Sequence, residues 1–197
     1  MAKSSIPEHP FWEFSLRFYQ QPGVEGICLK LQDKYGYNVN MVLLCCWMAH
    51  SHRGALSLQD IADLHHRIDD WHGHITGPLR SLRRGVPAHP LQQQIKSLCL
   101  ETELFAERIE QTLLFEQLDK PIQTPMAPSQ KLNALCQSFS HYTQHLQKPM
   151  SSPLKSLFCQ LLHAQCKAIK LNEIKVFCQK RLKGISKLPV AEEFQLR

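Results

Sequence analysis

The chain has 197 residues, 43% hydrophobic and 20% charged, with 23 Lys and Arg against 17 Asp and Glu. That length and apolar content supply an ordinary core, burying roughly 70% of the unfolded surface, and exclude disorder throughout. The net charge of +6 is uneven: residues 1–152 balance at 14 basic and 14 acidic, while 153–188 carry eight Lys and Arg against Glu173 alone.

Eight cysteines (28, 45, 46, 99, 136, 159, 166 and 178) show no CxxC spacing and fall mostly at apolar positions of helical patterns. They read as reduced, buried thiols. The N-terminal MAKSSIPEHP lacks a hydrophobic signal region, and the most apolar run, 41–49, has nine residues where a spanning helix needs about 20. The expectation is a cytoplasmic protein without a transmembrane segment.

In chain order, 11–21 reads as a short helix, apolar on most sides and broken by Pro22-Gly23. Val24, Ile27, Cys28, Leu31 and Tyr35 mark a second helix, stopped by Gly36. Asn38 is placed as the N-cap of a helix over 39–51, apolar all round and therefore central. Ser57 with Asp60 resembles a capping box before a helix marked by Ile61, Leu64, Ile68, Trp71 and Ile75. Pro78 opens a short helix to 84, with Leu79, Leu82 and Val86 assigned to its inner side. From 91 to 118, Leu91, Ile95, Leu98, Thr102, Phe105, Ile109 and Leu113 form one stripe. A helix of that length outruns the short helices before it, so the C-terminal helices or a second subunit must pack on it. Helices follow at 131–147 and 154–184, the latter bent near 170–172. The fold class is all-α: an N-terminal bundle over 7–86, then a long helix with C-terminal helices over 90–184, as one body or two.

Several spaced motifs carry a resemblance: FWEFSL (11–16), PGV (22–24), CLKLQD (28–33), VNMVLLCCW (39–47), Trp71, PLR (78–80) and Arg83-Arg84. Together they resemble a family of short proteobacterial proteins of unknown function over residues 11–84, departing from it at Asn38, where Asp is usual. The resemblance implies a helical, cytoplasmic, bacterial protein and assigns no functional residue.

No GxSxG, phosphate-binding loop or dinucleotide glycine pattern occurs, so no enzyme is expected. Gln32, Asp33, Asn38 and Asn40 form a polar set among apolar helices, read as caps and turn residues or as a small ligand pocket. Arg80, Arg83 and Arg84 lie on one side of a short helix; they either hold an anion in forked geometry or pair with acidic faces at 60–70 or 101–110. Six histidines lie between 50 and 74, and the i, i+4 pairs His65/Asp69 and His66/Asp70 are spaced closely enough to share a metal, with His66 and Asp70 the candidates. Glu103, Glu107 and Glu110 share one face, read as solvated. The lysines of the C-terminal region spread around the helix, where a nucleic-acid or membrane helix shows one cationic face.

The leading reading is a non-enzymatic interaction or adaptor protein with a protein partner or self-association, and with no cofactor. The alternative is a binder of an anionic ligand, a phosphate-bearing small molecule or RNA, through Arg80, Arg83, Arg84 and the basic helix. A metal-dependent enzyme using the 50–74 histidines is the third.

Overall fold

Capping chemistry begins and ends the first helices. The computed structural model describes residues 6–87, 89, 92–118, 120–122 and 124–184. Leu91, which opens the expected stripe, and Lys187 in the basic region lie outside them. Pro10 starts α1 (Pro10–Tyr19), with His9 as N-cap accepting from the Trp12 amide at 3.2 Å. Gly23 (φ 83°) leads into α2 (Val24–Tyr35), and Gly36 (φ 64°) closes it in the left-handed region that glycine enters without a steric penalty. Asn38 caps α3 (Val39–His50), its Oδ1 accepting from the Met41 amide at 3.1 Å. Ser57 and Asp60 form the capping box of α4 (Leu58–Trp71).

Gly73 and Gly77 read from the sequence as loosening the end of α4; the chain instead continues through a π turn, His72–Thr76, straight into α5 (Gly77–Gly85). The Gly77 amide bonds His72 O, five residues back. A Cβ at Gly77 would sit 3.0 Å from that oxygen, so glycine lets the wide turn close. Such turns shift every later side chain around the helix axis. Then follow α6 (Gln93–Glu116), α7 (Pro128–His145), α8 (Ser152–Gln165) and α9 (Leu171–Arg181). The helix expected over 154–184 is thus two helices, parted at 166–170. All regular structure among the described residues is helical. No described helix is long and apolar enough to cross a membrane.

Helix α3 is the centre: all side chains from Met41 to Ala49 are buried, with α1, α2, α6 and α7 packed against it. Trp47 lies between the rings of Phe11 (5.5 Å) and Phe115 (5.7 Å), with the Arg53 guanidinium over its face. Fully burying one such side chain contributes about 1.5–3 kcal/mol. Helix α7 also packs on α4, α8 on α2, and α9 on α7 and α8. The buried core runs without interruption from Phe11 to Leu182. Polar ties cross it: the Asn38 amide donates to the Tyr142 hydroxyl (3.0 Å), Tyr37 pairs with Thr143 (2.8 Å), and the Leu56 amide donates to Ser138 Oγ (3.0 Å).

Two expectations are corrected on α5 and α6. Of the apolar stripe of α6, Ile95, Leu98 and Phe105 are 53%, 62% and 55% exposed. Its buried residues are Cys99, Glu103, Ala106, Glu110, Gln111 and Leu114. The carboxylate face read as solvated is therefore an inner face: Glu103 is 3% exposed and Glu110 0%. On α5, Leu82 points outward at 58% exposure, and Arg80 and Arg83 take the side facing α6. The physical reason is complementarity, described next.

Candidate functional site

Glu103, Glu107 and Glu110 stand at i, i+4 and i+7 on α6, a spacing that aligns them on one face. Helix α5 packs along that face and supplies two cations. Arg80 donates from Nε to Glu103 Oε1 (2.9 Å) and from Nη2 to Glu107 Oε1 (2.6 Å). Arg83 donates from Nε to Glu103 Oε2, so Glu103 is held on both oxygens. Beside them, Trp71 Nε1 donates to Ala106 O at 3.0 Å, tying the end of α4 to α6.

Further along the face, Glu110 meets amides instead of guanidiniums. Its Oε1 accepts from Asn38 Nδ2 (2.6 Å) and Asn40 Nδ2 (3.1 Å), while Oε2 lies 3.0 Å from His72 Nδ1. A carboxylate only accepts, which calls for a hydrogen on Nδ1; the Asn38 amide nitrogen lies 3.0 Å from the same atom and directs its own hydrogen to Glu110 instead. The π turn delivers that ring. Gln111 Nε2 donates to Asn40 Oδ1 (2.8 Å) and completes the tie between α3 and α6.

The electrostatics follow from these partners. Burial pushes Glu103 up, but Arg83 and Arg80 outweigh it and hold the group below the usual carboxylate range. Burial likewise pushes Glu110 up, and His72 with Asn38 and Asn40 brings it below the usual range. Glu107 goes the other way: burial prevails over Arg80, a partner it shares with Glu103, and raises it. Burial pulls Arg80 down, yet Glu107 and Glu103 leave it above the ordinary guanidinium value.

This seam fixes the rotation of α6 about its axis. Each residue advances about 100°, so once the three carboxylates face inward, Ile95, Leu98, Thr102 and Phe105 must face outward. An unpaired buried carboxylate costs several kcal/mol, more than one apolar side chain loses by exposure. The outward stripe joins Leu82 and Val86 of the α5 end, which with Pro87, Gln92 and Ile95 line a shallow cleft of about 320 Å³. Leu100 and Leu104 are exposed as well, on the other flank of the carboxylate face. The result is an apolar ridge on α5 and α6 backed by a charged, neutralised seam.

The other sequence candidates fall elsewhere. Gln32 and Asp33 separate from Asn38 and Asn40: Asp33 Oδ1 accepts from Gln32 Nε2 (3.0 Å) and Arg84 Nη2 (2.7 Å) at the surface. That exposed ion pair contributes about 0–1 kcal/mol. His66 and Asp70 lie exposed on the outer face of α4. His65 lies 3.9 Å from Asp69 and packs against His145. Among the described residues no three His, Cys, Asp or Glu are placed to hold a metal ion. In the basic region, the Arg181 guanidinium covers the Phe177 ring and its Nε donates to Asn133 Oδ1 at 3.2 Å.

Sequence reasoning did not assign His72, Gln111 or Tyr142 to the network. The usable signal was the matched spacing of three acids on α6 against two arginines on α5, together with two asparagines flanking the start of α3. Neither the curated proteins nor the solved structures contain a match to this chain. Residues 10–114, which hold α1 to α5, the seam and the ridge, match the model of a family described as protein of unknown function, DUF2390. That match spans more than half of the chain, and the protein belongs to this family.

Proposed function

We propose that this protein works by association with another protein chain through the α5–α6 ridge, as a non-enzymatic interaction or adaptor protein. One observation carries the reading: Leu82, Ile95, Leu98 and Phe105 are each more than half exposed, Leu82 shares a cleft with Ile95, and Leu98 and Phe105 continue from Ile95 at helical spacing. Contiguous exposed apolar surface of this kind marks interaction sites in soluble proteins. The seam beneath gives it a rigid backing, which lowers the entropy lost on binding.

The anion-binding alternative is the weaker reading. Arg80 and Arg83 already have carboxylate partners, and Arg84 has Asp33. An incoming anion would have to displace partners that are part of the fold. The setting we propose is a bacterial cytoplasm, in keeping with the resemblance over 11–84 and with eight cysteines that are all buried and free. We also propose that 7–86 and 90–184 act as one body, since α6 and α7 both pack on α3 and α4.

The test is capture from native lysate with the wild-type chain and with Leu98→Asp/Phe105→Asp, both verified as folded by circular dichroism. The reading predicts specific proteins, this chain's own copies included, that are lost from the variant. Equal recovery on both baits overturns it.

A further inference from the structure

We infer that the ridge pairs with a second copy of this chain, α6 against α6 in antiparallel orientation about a two-fold axis. This rests on the ridge being an association surface. Three observations select the occupant.

The first is spacing. Ile95, Leu98, Thr102, Phe105 and Ile109 follow one another at intervals of 3, 4, 3 and 4 residues. That is the period with which one α-helix lies along another, and neither a strand nor a loop matches it. The stripe is about 21 Å long. It ends where α1 begins to cover α6: Ile109 is half-buried, and Thr112 contacts His9.

The second is shape. With the axis between Thr102 and Phe105, Phe105 faces Thr102 of the partner subunit, and Leu98 faces Ile109 of the partner subunit. The central layers then set the large Phe105 ring against the small Thr102 of the partner subunit, and Leu98 against the equally large Ile109 of the partner subunit. A two-fold axis produces every such contact twice.

The third is charge. Glu101 and Arg108 lie seven residues apart on the same flank of the stripe. In this register Glu101 comes beside Arg108 of the partner subunit, and the pair repeats across the axis. Shifting the register by one heptad toward the helix start would bring Glu101 beside Glu101 of the partner subunit, so like charge disfavours that alternative. Arg108 donates from Nη2 to Ile6 O and covers the Trp12 ring, which holds it at the edge of the ridge. Its Nη1 takes no partner among the described residues.

The test is sedimentation of the full chain in reducing buffer, from about 1 to 100 µM. The expected mass rises from 22.8 kDa toward twice that value. Leu98→Asp should abolish the rise. Glu101→Arg should weaken association about tenfold or more, and adding Arg108→Glu to it should restore association. Leu98 and Glu101 are exposed, so their variants carry the test even where Arg108→Glu impairs folding. A chain that stays monomeric over the whole range overturns self-pairing, as does a dimer that Leu98→Asp leaves intact. If the chain is monomeric and lysate capture still depends on the ridge, the association reading stands with an unlike partner. If capture is also insensitive to the ridge, both fall.

Discussion

Glu110 shows how one side chain sets the orientation of a helix. It is fully buried and accepts from Asn38, Asn40 and His72, which come from the start of α3 and from the π turn. Removing it leaves two amides and an imidazole N–H facing a void. Glu110→Ala should therefore lower the unfolding free energy by about 3–5 kcal/mol, read from urea midpoints at unchanged slope. A loss below about 1 kcal/mol would show that the network stabilises little.

The histidines set the response to acid. Burial, with neighbouring charges from Arg108, Lys131 and Arg17, lowers His9 and His50; burial with the charge of His145 lowers His65. For a base held low in the fold, stability is complete above the unfolded value near pH 6.5 and is lost as pH falls toward the folded value. Glu103 and Glu110 add stability above about pH 4.3 that is lost as pH falls through their folded values. Glu107, held high, contributes below about pH 4.3 and loses that contribution as pH rises. His9→Asn keeps a capping oxygen and removes one titrating group. The fall in stability between about pH 6.5 and 5 should become shallower. An unchanged slope would remove His9 from the account.

At the scale of elements, the two faces of α6 make opposite predictions. Phe105→Asp should change stability by less than about 0.5 kcal/mol at sub-micromolar concentration, whereas Leu114→Ala should cost about 2–5 kcal/mol. The reverse ranking would mean the helix is rolled the other way. Hydrophobic period alone points to that other way, which is why the sequence misleads here. Ile95, Leu98, Phe105 and Ile109 form the clearest apolar stripe of the segment, yet carboxylates with guanidinium, amide and imidazole partners take the inner face. Those partners come from α3, the π turn and α5, at separations up to 72 residues, where period arguments do not reach. Elements governed by local chemistry were legible. Asn38, Ser57 with Asp60, and Gly36 end or begin helices as their residue types dictate. Helix α3, with no polar face to choose, was legible as the centre. The π turn was not, because it depends on how closely the Gly77 backbone approaches His72 O, a contact visible only in the fold. Within the seam, the opposition of Arg80 and Arg83 to 101–110 was one of two open readings, while Glu110 with His72 needed the fold.

At the scale of the molecule, the core crosses from α3 to α7 and on to α8 and α9 without a gap. Unfolding should accordingly be one cooperative event. The three tryptophans (12, 47 and 71) all lie in the first half, whereas circular dichroism reports every helix. Fluorescence and dichroism transitions in urea should superimpose. Two separate midpoints would divide the chain into an N-terminal and a C-terminal unit. The ridge is the outer face of α6, whose inner face the seam ties to the start of α3, the π turn and α5.

Carboxyl footprinting of α6 tests this arrangement most directly. The native chain is treated with a carbodiimide and an amine, and each glutamate's modification is read by mass spectrometry at a concentration low enough for monomers. Glu101 and Glu116 should be modified readily, with Glu103 and Glu110 protected until the chain unfolds. Modification of Glu103 and Glu110 at the rate of Glu101 would place the carboxylates in solvent and turn the apolar stripe inward, contradicting both the seam and the ridge.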